Sequence, residues 1–70
     1  MNGITVTKHD CDEWSRMATA AYAADRNDIG HRYSMAATVG DGARVKTAWY
    51  DRIQAGYRAW LVSGEWPVLA

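Results

Sequence analysis

Four side chains, His9, Cys11, Asp12 and His31, have the types that could carry chemistry. His9-x-Cys11 could offer two zinc ligands from one loop. Structural zinc sites, however, pair their ligands as C-x2–4-C or H-x3–5-H, and neither spacing occurs here. Cys11 with His31 or His9 could instead form a nucleophile and its base. A helix N-terminus at Cys11 favours the thiolate, but Asp10, Asp12 and Glu13 flank it and oppose that effect. Seventy residues also leave little material for a substrate pocket of about 300 Å³ or more. The expectation is a non-enzymatic protein with no catalytic residues, no metal and no cofactor.

Gly40-Asp41-Gly42 is read as a turn and not as a phosphate loop, because Asp41 repels phosphate. Ala36 and Gly40 have the spacing of the second helix and turn in many DNA-binding domains, with Trp49 as the anchor of a recognition helix. Asp41-Gly42 lengthens that turn beyond the usual span. Eight basic and eight acidic side chains cancel, whereas a nucleic-acid binder needs a basic surplus to displace counterions. Neither half of the chain about Gly40 departs from neutrality by more than one charge. A small helix-turn-helix-like transcriptional regulator is therefore the second reading, with nucleic acid disfavoured.

The remaining constellation is aromatic plus arginine. Trp, Tyr and Arg dominate interface hot spots, and the chain carries four Trp and four Tyr. Tyr50, Arg52, Arg58 and Trp66 are the expected protein-interaction residues, with Tyr57 and Arg44 beside them. The leading functional expectation is an interaction protein that occludes a surface on a larger protein complex. A phage or mobile-element inhibitor of a host defence system is one instance of that class. A homodimer using the same patch is compatible.

These residues need elements to position them. One domain is expected, because neither half of so short a chain could bury a core. Ile4-Thr5-Val6-Thr7 alternates as a short extended arm. Asp10 as N-cap with Glu13 three residues on opens a helix over roughly 11–25, with Trp14, Met17, Ala18, Ala21 and Tyr22 on one stripe. A second helix starts at Asn27 or Asp28, carries Ile29, Tyr33, Ala36 and Ala37 on one face, and stops near Gly40. The competing reading of residues 33–46 is a β-hairpin turning at Gly40-Asp41-Gly42. A third helix over roughly 48–62, N-capped by Thr47, carries Trp49, Ile53, Gly56, Tyr57, Trp60 and Leu61. It is expected at the centre of the core. Gly64 and Pro67 end it, and the apolar tail Glu65–Ala70 is expected to fold back as a lid.

The predicted fold is all-α, a small three-helix bundle with an apolar C-terminal tail; the alternative is α+β, two helices flanking a hairpin. No apolar run reaches the roughly 20 residues of a membrane span, and no basic start precedes an apolar run of about 7–15 residues. The lone Cys11 suits a reducing compartment, so a cytoplasmic protein without membrane partners is expected.

Overall fold

The computed structural model describes residues 3–69. The extended arm forms strand β1 (Gly3–Thr5), followed by helix α1 (Lys8–Ala23). The helix begins three residues earlier than its sequence suggests. Thr7, not Asp10, is the N-cap: the Thr7 hydroxyl accepts from the Asp10 backbone N–H at 3.1 Å, and the Asp10 carboxylate accepts from the Thr7 N–H at 3.1 Å. Both T-x-x-D and D-x-x-E satisfy capping grammar. The first forms, and it places Asp10 inside α1 on the buried side with Trp14, Met17, Ala18 and Ala21, where α3 supplies donors to its carboxylate.

A tight reversal follows, with Asp25 in the left-handed region at φ 63°, a conformation aspartate tolerates better than most residues. Helix α2 (Asn27–Ala37) then buries Ile29, Gly30, Tyr33 and Ala36. The helical reading of residues 27–37 holds and the local hairpin does not form. Strand β2 (Arg44–Lys46) pairs antiparallel with β1 instead, in the register Gly3↔Lys46, Ile4↔Val45 and Thr5↔Arg44. Past the strand ends, the Val6 N–H donates to the Ala43 carbonyl and the Gly42 N–H to the Val6 carbonyl, each at 2.7 Å. Gly40 and Gly42, at φ 89° and 88°, supply the positive-φ turn that lets the chain leave α2 and reach this pairing. The chain is mostly helical, with a two-stranded ladder that the all-α expectation lacked.

Helix α3 (Thr47–Ser63) starts at Thr47 itself and ends at Gly64, whose left-handed φ of 74° closes the last turn. Its inward residues are Ile53, Gly56 and Tyr57, while Leu61, expected on the packed stripe, is 58% exposed. The centre of the core is not α3. The largest fully buried side chains are Trp14, Tyr33, Met17, Ile29 and Val6, and α1 and α2 share the most extensive contact. Two helices joined by a tight reversal lie side by side, whereas α3 arrives after the strand and lays only one stripe against the core.

One close approach fixes how α3 meets α2. The buried Tyr33 hydroxyl donates to the Ile53 carbonyl at 2.8 Å, passing over Gly56, where a Cβ would collide with that oxygen. The tail folds back along α3, as expected: Trp66 stacks on Trp60 with centroids 5.9 Å apart, Pro67 packs on Gly56, and Leu69 joins the core margin. Ala70 lies outside the described residues.

Gly56→Ala therefore costs roughly 2–3 kcal/mol, from overpacking plus a strained buried hydrogen bond. Gly30→Ala is the contrast. Its Cβ would meet the Tyr22 ring at 2.8–2.9 Å, but that ring is 46% exposed and can swing out, while helix propensity returns about 1 kcal/mol. Urea unfolding of both variants should show a large loss for the first and a change within about 0.5 kcal/mol for the second. Equal losses would contradict the assignment of Gly56 as the tighter contact.

Candidate functional site

Two polar features stand out, one closed and one open. The closed one is built on Asp10, which is 6% exposed. An ionised carboxylate only accepts, so its burial requires donors, and they come from two elements. Besides the Thr7 N–H, the Tyr50 hydroxyl donates to Oδ2 at 3.0 Å and Gln54 Nε2 reaches Oδ1 at 3.4 Å. Gln54 Nε2 also donates to the Tyr50 oxygen at 3.2 Å, and its Oε1 accepts from Trp14 Nε1 at 2.9 Å. An indole N–H can only donate, so it sets which way the Gln54 amide faces. Trp14 is further enclosed by Trp49 and Tyr50, each edge-on with centroids 5.8 Å away. No buried side-chain polar atom among the described residues lacks a partner.

The open feature is a cleft of about 350 Å³ between α2, α3 and the tail. Arg32 and Tyr33 come from α2, Arg52 and Ile53 from α3, and Pro67 to Leu69 from the returning chain. Neither Arg32 nor Arg52 has an ion-pair partner among the described residues. Tyr33 turns its hydroxyl inward to α3, leaving the two guanidinium groups as the cleft's strong donors.

The four residues expected to form one interaction patch are dispersed. Tyr50 lies inside the Asp10 network and Trp66 is half-buried on Trp60. Arg52 and Arg58 are exposed, but six residues apart they project about 120° from each other around the helix. Arg52 faces the cleft, while Arg58 sits on the Tyr50 side, where its charge acts on that phenol. Arg44 lies across Gly3, and Tyr57 is core. Among the chemistry-bearing residues, His9 pairs with Glu13 at 3.4 Å and Lys8 with Asp12 at 3.1 Å, both along one helix face. No three His, Cys, Asp or Glu side chains converge as metal ligands among the described residues.

Arg32, Asp10 and Gln54 were missed from sequence. The signal for Asp10 is its place four residues before Trp14 on an apolar stripe. Gln54 carries the weaker signal of lying one turn after Tyr50. Arg32 offers none, since only the folded tail makes it part of a cleft. The reading of Ala36 and Gly40 as parts of a helix-turn-helix meets a different geometry: residues 38–46, including β2, separate α2 from α3.

Tyr50→Phe keeps the ring against Trp14 but deprives Asp10 and Gln54 of a partner. A loss of about 1–3 kcal/mol is expected, with α1–α3 contacts weakened in amide exchange; an unchanged midpoint would deny the network a structural role. Burial pushes three tyrosine phenols upward, Tyr33 to about 12. For Tyr50 and Tyr57 burial is again the larger cause, and the Asp10 and Glu13 carboxylates add to it. An unfolded phenol ionises near 10, so the folded chain holds these protons longer. Their contribution to stability is complete below about pH 10 and is lost as pH rises through the folded values. Tyrosinate absorbance and helical circular dichroism, followed together through that range, should show ionisation of Tyr33 coinciding with unfolding. Ionisation at the ordinary value with helix retained would contradict its burial.

Compared with protein-family models, curated proteins and solved structures, this chain matches none.

Proposed function

We propose that this chain is a small interaction protein that acts by covering a surface of a larger protein complex. The observation that carries this reading is the distribution of exposed apolar side chains. The two most exposed large apolar residues, Val68 at 93% and Val62 at 86%, belong to the tail and the end of α3, where Leu61 at 58% joins them; Met35, at 57%, lies apart on α2. The outward face of α3 adds Ala48, Ala55 and Ala59, exposed and small, which lets another surface approach the helix closely. Arg52 and Arg58 border that face on its two sides. Apolar side chains left in water at one place on a molecule are costly to keep, and such places mark association sites. A face of this kind supplies the apolar centre and arginine rim found in protein–protein interfaces.

Leu61→Asp and Val62→Asp place charge on this face without touching the core. Both variants should keep the wild-type unfolding midpoint within about 0.5 kcal/mol. On affinity capture from the source cells, the wild type should recover a partner in fixed stoichiometry and co-elute with it as a larger particle. The variants should lose that partner. Light scattering on the purified chain identifies the competing occupant: a dimer split by the same substitutions would assign the face to self-association. Salt-sensitive retention on duplex DNA, with no stoichiometric protein partner, would replace this reading with the DNA-binding one.

A further inference from the structure

We infer that the cleft between α2, α3 and the tail receives an acidic residue flanked by apolar ones, carried on an extended segment of a protein partner. This rests on the interaction reading above and names the chemistry by which a partner is recognised. Three observations point to it.

The first is charge. The chain is neutral, with as many acids as bases, yet Arg32 and Arg52 line one cleft with no acidic partner among the described residues. An anion entering a cleft lined by both meets two guanidinium donors. A guanidinium is a planar fork of five donors that fits a carboxylate bidentately. The second is the floor. Ile53, Pro67 and Leu69 make it apolar, which suits a carboxylate on a hydrocarbon stem and wastes contact on inorganic phosphate. The third is size and continuation. About 350 Å³ is at the small end of ligand cavities, enough for one or two side chains. Val68 lies at the rim, 93% exposed. A free small acid leaves Val68 in water; a peptide whose next residue is apolar covers it.

The cleft is also held in place. Tyr33 donates to the Ile53 carbonyl at 2.8 Å between the two arginine-bearing helices, and Pro67 seats on Gly56. The two arginines thus stand on helices joined by a buried hydrogen bond, so binding need not rearrange the backbone.

The test is a titration of the full chain, isotopically labelled for amide NMR, with the blocked peptide Leu-Glu-Glu-Leu. Its neutral counterpart Leu-Gln-Gln-Leu and sodium phosphate are run beside it. Expected are saturable shifts at millimolar peptide in the amides of Tyr33, Ile53 and Leu69, weakening as salt rises. The neutral peptide should bind about tenfold more weakly or worse, as should the variant carrying Arg32→Gln and Arg52→Gln. Glutamine keeps much of each arginine's stem, so folding of the double variant is checked by its unchanged spectrum elsewhere. Equal shifts with the neutral peptide, with phosphate, or with the double variant would overturn the assignment. So would no saturable shift at all. If a partner is captured through Val62 while the peptide fails, the cleft assignment falls and the interaction reading stands. If the peptide binds while capture yields no protein partner, the cleft's chemistry stands and the interaction reading falls.

Discussion

A buried carboxylate organises this fold. Taking Asp10 out of water without partners would cost several kcal/mol, so the chain must bring donors to it, and each donor it brings fixes an element. The Thr7 N–H sets where α1 begins. Tyr50 and Gln54 set which turn of α3 lies beside that beginning, because only residues one helical turn apart can both reach the same carboxylate. The Trp14 indole N–H, donating to Gln54, extends the constraint from the helix terminus into the core. Apolar packing alone would let α3 slide along α1 by small steps at little cost; a fully satisfied network does not.

A second constraint acts on the other side of α3. The Tyr33 hydroxyl reaches the Ile53 carbonyl through the gap at Gly56, and Pro67 closes the same gap from outside. One anchor joins α3 to α1 and the other joins it to α2. Between them they hold a 17-residue helix whose buried stripe is short. That economy has a functional consequence. A helix secured at two points needs little of its circumference for the core, and the rest of α3, with the returning tail, is left facing outward. The exposed Leu61, Val62 and Val68 and the arginine-lined cleft are all products of this arrangement.

Small chains rarely gain more than about 3–5 kcal/mol from one core, so the molecule relies on dense aromatic packing. Trp14, Trp49 and Tyr50 meet edge to face at one end, and Tyr57, Trp60 and Trp66 gather at the other. The same residue types are favoured in interfaces, and their type alone does not say which use applies. Tyr50 shows why. As a side chain off the main apolar stripe it reads as a surface anchor, yet its hydroxyl is required by Asp10. Trp66 reads from its type as an interaction residue, yet in the returning tail it is spent on stacking against Trp60.

Local physical chemistry in the sequence by itself determined the first and third helices, the start of the second, the extended start, the glycine stops and the return of the tail. Each follows from periodicity, from propensity or from a residue that permits only certain backbone angles. The sequence left open every choice between two locally equivalent answers. Asp10-x-x-Glu13 reads as a cap although Thr7-x-x-Asp10 forms it, and residues 33–46 read as helix or local hairpin although residues 44–46 pair with the distant arm. Tertiary structure decided these because its rewards are non-local: donors for a buried carboxylate from α3, and strand partners from residues 3–5. It also decided the candidate site. Arg52 was legible as an expected interaction residue, but Arg32 becomes its companion only when α2, α3 and the tail converge, a juxtaposition that no spacing along the chain encodes.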